Sequence, residues 1–164
     1  MSRQISAGIL LYRIRDDRLE VLLAHPGGPY FTRRDVGHWT IPKGEVSEDD
    51  TLLATAAREF EEETGHSLTS VASDAAREPI SLGTVTQASG KVVHGWAVEG
   101  TLDPAAASSN TFQMHWPPGT RELQTFPEVD RVGWFSVREA QRRANPSQAA
   151  FVDRLREALA SATA

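Results

Sequence analysis

Between Ser47 and Thr64 the chain carries a helical pattern with two adjoining faces of opposite character. Leu53, Ala56, Ala57 and Phe60 recur on one side, and at about 100° per residue Glu59, Glu62 and Glu63 fall together in the neighbouring arc. Ser47 and Asp50 are spaced as a capping pair at its start, and Gly65 supplies a stop. A helix of this kind must bury its apolar face against another element. Its carboxylates repel at i,i+3 and i,i+4 spacing by a few tenths of a kcal/mol per pair, which a divalent cation would relieve. Oxygen donors are hard ligands and select Mg²⁺ or Mn²⁺. On spacing alone a solvated acidic face is the commoner explanation, and Glu61, which points away, is expected to be solvated.

The remainder supplies the layers that such a helix needs. Ile5 to Arg15 and Leu19 to Ala24 read as a hairpin around Asp16-Asp17, and Trp39 to Ile41 as a short strand. Between them, His25 to His38 is rich in proline, glycine and aromatic residues and suits a functional loop. Ser67 to Glu78 reads as a loop, then Ile80 to Thr86 and Val92 to Val98 as strands joined around Ser89-Gly90. Leu102 to Phe126 is a long excursion without an assignable pattern, and Val129 to Phe135 is a further strand. Ser136 and Glu139 form a capping box for a helix to about Ala144, and Asn145-Pro146 ends it. Ser147 then opens a last helix with Phe151, Leu155 and Leu159 inward. Strands interspersed with a few helices imply a single α/β domain over residues 1–164, a mixed sheet with helices on its faces.

Composition narrows the chemistry. The chain of 164 residues has no cysteine, which removes zinc-thiolate sites, cysteine-held clusters and cysteine nucleophiles. Asp and Glu number 22 against 17 Lys and Arg, for a formal charge of -5, so no global field draws in nucleic acid or anionic lipid. The apolar stretch Ile9 to Tyr12 is cut off by Arg13 and Arg15, too short for a membrane span or a signal-peptide core. A cytoplasmic protein, acting on a small molecule without membrane or nucleic-acid partners, is expected.

The run from Gly44 to His66 resembles the Nudix hydrolase signature, G-x5-E-x7-R-E-U-x-E-E-x-G-U, where U is a bulky aliphatic residue. Gly44, Arg58, Glu59, Glu62, Glu63 and Gly65 match at their spacings, and Phe60 takes the first U position. Asp50 stands where the family has Glu, and His66 where it has an apolar residue. The resemblance implies an α/β/α sandwich around a mixed β-sheet with the signature helix as the catalytic one. It implies that Glu62 and Glu63 bind Mg²⁺ or Mn²⁺, with the carbonyl of Gly44 as a further ligand and Glu59 as ligand or base. Arg58 would orient a glutamate, making Arg58, Glu59 and Glu62 the catalytic set. Family members often add a carboxylate from beyond the signature; Glu128 occupies a comparable place, and Glu99 competes with it. The implied reaction is hydrolysis of a nucleoside diphosphate linked to another group, by in-line attack of water on phosphorus.

Trp39-Thr40-Ile41-Pro42-Lys43-Gly44 looks like the W-x-x-P-K-G of family members acting on dinucleoside polyphosphates and diphosphoinositol polyphosphates. That likeness makes Trp39 and Lys43 candidate substrate contacts. Tyr30 would add a stacking surface, as would Phe31, and Arg33 and Arg34 offer charge for phosphate. Trp96, Phe112 and Trp116 are either pocket walls or core, and His94 and His115 are further candidates without a partner. Tyr12 and Tyr30 are the only tyrosines, so the tyrosine that some diadenosine polyphosphate hydrolases carry after the signature is absent; Pro79 lies near the place of a proline often found in ADP-ribose pyrophosphatases.

A dinucleoside polyphosphate is thus favoured over a simple nucleoside triphosphate. The alternatives are a non-catalytic nucleotide-binding module of the same fold, an ADP-ribose-type pyrophosphatase, and a plain interaction domain with an acidic helix. The isopentenyl diphosphate isomerase branch relies on a cysteine, which this chain lacks.

Overall fold

The computed structural model describes residues 4–162. Its elements are β1 (Ile5–Arg15), β2 (Arg18–Pro26), β3 (Lys43–Glu45), α1 (Leu52–Thr64), α2 (Leu68–Val71), β4 (Ile80–Thr86) and β5 (Val92–Glu99). A 3-10 turn at Pro104–Ala106 follows, then β6 (Thr111–His115), β7 (Leu123–Pro127), β8 (Val129–Ser136), α3 (Val137–Arg143) and α4 (Ala149–Ala162). The main sheet runs β4-β5-β1-β2-β8, with β3 pairing β1. β1 and β5 are parallel while the other pairs are antiparallel, which makes the sheet mixed.

Strand β1 shows why helices must cover both faces. Ala7, Ile9, Leu10 and Leu11 are all fully buried, as in strands sandwiched between layers. Ala7, Ile9 and Leu11 turn toward Ala56 and Phe60 of α1. Leu10 and Tyr12 turn the other way, toward Ala140 of α3 and Phe151, Val152 and Leu155 of α4. The result is the expected α/β/α arrangement. Among the described residues no helix is long and apolar enough to cross a membrane.

Several local expectations hold. Asp16 and Asp17 take positive φ of 52° and 62°, the geometry a two-residue hairpin requires. Gly65, at φ 79°, ends α1 and donates its N–H to Glu61 O. Ser136 caps α3 by accepting from Glu139 N–H.

Others are corrected. α1 starts at Leu52 under a Thr51 cap, because β3 pairing and the bond from Val46 N–H to Ile5 O hold the preceding chain on the sheet. Leu53 consequently faces outward at 36% exposure, and Thr55 and Thr64 join Ala56 and Phe60 on the buried side. His25 belongs to β2 and is wholly buried, its Nδ1 at 2.8 Å from Asp130 Oδ1 and its Nε2 at 2.5 Å from Arg34 O. Trp39 and Thr40 form isolated bridges to Ala144 and Ala24 in place of a strand. Ser67 caps the single turn α2 inside the expected loop. The excursion after Leu102 contains the separate hairpin β6–β7. Asn145, with its Oδ1 bonded to the N–H and hydroxyl of Ser147, organises the entry to α4 that was assigned to Ser147.

Candidate functional site

The site forms where α1 crosses the end of β3. Ala7 of β1 pairs with Gly44, which brings the Gly44 backbone against α1. A Cβ at Gly44 would overlap the carboxyl of Glu59, so only glycine permits this approach. One residue earlier, the Lys43 N–H donates to Glu63 Oε2 at 2.6 Å. Gly44, Glu59 and Glu63 are therefore drawn together by strand pairing and one backbone bond. Glu62, half-buried, completes the acidic face, and Glu61 is exposed as expected.

Arg58 serves several carboxylates. Its guanidinium lies 3.4 Å from Glu59 Oε1, 3.5 Å from Glu62 Oε1 and 3.5 Å from Asp50 Oδ2. Asp50, one methylene shorter than the glutamate of the signature, still reaches it. The guanidinium is 44% exposed and these contacts are long, so they orient the carboxylates more than they stabilise the fold. At the other departure from the signature, His66 is half-buried and its Nε2 lies 3.2 Å from Ala106 O.

Glu128 joins the cluster from the far end of the chain. Its charge adds to those raising the carboxyl pKa values of both Glu59 and Glu63. Glu99 instead pairs with Arg77 at 3.2 Å, beside Tyr12. Glu128 is held by its backbone: its N–H donates to Asn110 O at 2.8 Å and its carbonyl accepts from Gly27 N–H at 2.9 Å. Asn110 N–H and Ser108 N–H in turn bond the α1 carbonyls of Glu62 and Thr64. The Ser109 hydroxyl accepts from Val129 N–H at 3.1 Å and lies 2.9 Å from Val129 O. These supports carry no signal in the sequence, where they fall within the unassigned excursion from Leu102 to Phe126.

Burial pushes the Glu59 carboxyl up, and the neighbouring Glu62 adds to the effect. Burial drives Glu63 up to about 8, against the opposing pull of the Lys43 N–H and ammonium. The Lys43 ammonium is itself pushed down, first by burial and then by Lys91. Among the described residues, no three acidic or histidine side chains are already closed to metal-ligand spacing. The donor set nonetheless fits a hard divalent cation: mutually repelling oxygens beside a backbone that only glycine can present.

Two cavities meet at this cluster. The larger, about 310 Å³, is lined by Lys43, Glu63 and Glu128 together with Phe31, His38, Thr40 and Asn145. The smaller, about 220 Å³, lies between the 3-10 turn and β8, and shares Glu63 and Val129 with the first. Asn145 and Thr40 carried no signal of this kind in the sequence.

Other substrate candidates are dispersed. Tyr30 is 57% exposed and sits edge-on to Trp116 at 5.2 Å. Arg33 and Arg34 are exposed and line neither cavity. Trp39 is 4% exposed, its ring edge-on to His25 and Phe135 and its indole N–H bonded to Asp35 Oδ1 at 2.7 Å. It packs the base of the loop, leaving no face for a substrate. Trp96 stacks on His94 at 4.1 Å, and Phe112 packs over Gly28.

A family model described as NUDIX domain matches residues 2–155. An Ap4A hydrolase of C. elegans, solved as a binary complex, is similar with a TM-score of 0.65 at 20% identity, over 95% of this chain and 98% of that one. The NUDIX domain of Shewanella oneidensis NrtR, complexed with ADP ribose, gives 0.62 at 19% identity, over 97% and 90%. RenU, a Nudix hydrolase from M. smegmatis, gives 0.63 at 21% identity, over 97% and 87%. Among curated protein sequences none matches the chain.

Proposed function

Because the chain belongs to the NUDIX family of pyrophosphohydrolases, we propose that it hydrolyses a phosphoanhydride bond of a nucleoside polyphosphate with Mg²⁺ or Mn²⁺, a dinucleoside polyphosphate ahead of a simple triphosphate. The observation that carries this is the electrostatic coupling of Glu59 with Glu62 and Glu128, and of Glu63 with Glu59 and Glu128, the Glu59 carboxyl facing Gly44 and Glu63 shared by two cavities. Two chambers sharing Glu63 suit a substrate with a group at each end of its phosphate chain. The cytoplasm, where nucleotides are plentiful and thiols stay reduced, is the setting in keeping with a cysteine-free chain.

The carboxylates of Glu59, Glu62, Glu63 and Glu128 and the carbonyl of Gly44 would hold the cation, which when bound neutralises phosphoryl charge and polarises the attacking water. Glu59 is suited to take the proton from that water at its carboxyl, since burial has made it more basic. Arg58 keeps Glu59 and Glu62 turned toward the site. Glu63, fixed through Oε2 by the Lys43 N–H, keeps Oε1 for ligation. Lys43, which lines the larger cavity, would meet a phosphate through its ammonium.

The test is product release from diadenosine polyphosphates, nucleoside triphosphates, oxidised triphosphates and ADP-ribose, each with Mg²⁺ or Mn²⁺ and with chelator. Metal-dependent cleavage of dinucleoside polyphosphates above the rest is expected. Preferential cleavage of ADP-ribose, the ligand of the Shewanella neighbour, would establish the second reading. Binding without turnover would establish a nucleotide-binding module.

A further inference from the structure

We infer that His25 is held as an imidazolium and is a positioning residue for the loop of residues 27–38, its two N–H groups joining Asp130 of β8 to the Arg34 carbonyl of that loop. This rests on the function proposed above only where turnover is read. The protonation follows from the partners. Arg34 O is a backbone carbonyl and can only accept, so Nε2, at 2.5 Å, carries a proton. Asp130 Oδ1 belongs to a carboxylate and accepts as well, so Nδ1, at 2.8 Å, carries the other. A neutral imidazole has a single N–H and would set a lone pair against one of these oxygens. Asp130, 34% exposed at its side chain, supplies the counter-charge that a wholly buried cation requires. Trp39 meets the ring edge-on at 5.1 Å, and the charges around Trp39 are matched: the Arg131 guanidinium lies over its ring at 5.2 Å, and Asp35 sits between its indole N–H and Arg143.

The loop depends on this ring because much of its own bonding is internal. Phe31 N–H donates to Gly28 O at 3.2 Å, Arg34 N–H to Phe31 O at 3.0 Å and His38 N–H to Asp35 O at 3.0 Å. Its backbone is tied to the rest of the fold near its ends, from Gly27 N–H to Glu128 O and from Gly37 N–H to Arg143 O. Between those ties, Arg34 O is bonded to the His25 ring of β2. Arg34 in turn holds Phe31 through its N–H, and Phe31 and His38 line the larger cavity. Asp130, on the other side of the ring, lines the smaller one. A single buried cation thus links the walls of both cavities without touching a ligand in either. Hydrogen bonds from a charged donor are stronger than neutral ones, which suits a group that must hold a loop of this composition in one place.

The test uses the full chain labelled with ¹⁵N, and the variants His25→Asn and His25→Gln. In the wild type at neutral pH without substrate, both ring nitrogens of His25 are expected to resonate as protonated nitrogens; an unprotonated, pyridine-type signal would overturn the assignment whether or not a variant folds. A Gln amide reaches the place of Nε2 and keeps a donor for Arg34 O, whereas an Asn amide reaches only the place of Nδ1. Amide hydrogen exchange at Arg34 and His38, measured against that of β1, should therefore quicken about tenfold in His25→Asn and stay within about twofold of the wild type in His25→Gln. KM for the best-cleaved member of the panel above should rise about tenfold in His25→Asn with kcat less affected, and lie near the wild-type value in His25→Gln. Equal exchange and equal KM in the two variants would reduce His25 to a packing residue and overturn the positioning role. Absence of turnover across the panel, with the ring signals and the exchange pattern as expected, would preserve the assignment and overturn the catalytic reading instead.

Discussion

Gly44 tolerates no side chain without moving the carboxyl it faces, and this separates catalysis from stability at a single position. The obstructing group is the end of a flexible glutamate, so Gly44→Ala should fold with a melting temperature close to that of the wild type. Displacement of Glu59 should lower turnover by about 100-fold, which parallel melts and product assays would show. Glu63→Gln makes the complementary case. Sequence reasoning treats Glu63 as a surface carboxylate, whereas it is half-buried and accepts the Lys43 N–H. Glutamine retains an oxygen for that bond and matches the uncharged form that burial favours at neutral pH. Melting at neutral pH without metal should therefore be unchanged or higher, and turnover should fall by about 100-fold or more. Near-wild-type turnover would remove Glu63 from the site. The signature glutamates were legible because helical spacing alone places them in one arc. The place of Asn145 on the cavity wall was not, because it follows from the bond of its N–H to Trp39 O, which spacing does not reveal.

At the scale of the elements, the start of α1 was misread for an identifiable reason. Ser47, Asp50 and Thr51 all have cap chemistry, and the choice among them falls to a long-range contact: β3 is held on β1, so the chain needs residues 46–50 to turn back. Thr51→Ala should cost about 1 kcal/mol, whereas Ser47→Ala should be within error, as urea titrations would measure. The hairpin β6–β7 was hidden for a related reason. β6 alternates between exposed and half-buried residues and β7 is exposed except at Phe126, and the support for both is Gly28 and Tyr30 in a loop with no pattern of its own. Ser109 ties the foot of this hairpin to Val129, next to Glu128. Ser109→Ala should reduce stability by about 1 kcal/mol and lower turnover beyond what that loss explains, read as kcat at a temperature where the variant is fully folded.

Across the whole molecule, the loop bearing Phe31 and His38 is clasped to the end of α3 through Asp35. The indole N–H of Trp39 and then the guanidinium of Arg143 hold the Asp35 carboxyl below the usual range. The ionised form therefore stabilises the fold: its contribution is present above the ordinary carboxylate pKa and is lost as the pH falls through the lower folded value. Asp35 is 44% exposed, so the effect is modest. Asp35→Asn should lower the melting temperature at pH 7 and flatten its decline in acid, with the gap closing as the pH falls through the lowered carboxyl pKa. The layered architecture was legible in the burial-prone runs of β1 and β2. The path of residues 102–126 was not, since it is set by bonds to carbonyls of α1.

The pairing of β2 with β8, His25 opposite Arg131, has a consequence in time as well as in space. Glu128 lies just before β8, so its carboxylate meets those of α1 only when a strand from late in the chain reaches one from the beginning. Contacts of such separation are slow to form, and charges more than about 10 Å apart at 0.1 M salt scarcely sense each other. The share of the repulsion that Glu128 adds is thus deferred to the docking of β8, the step whose rate should respond most steeply to divalent ions in refolding experiments.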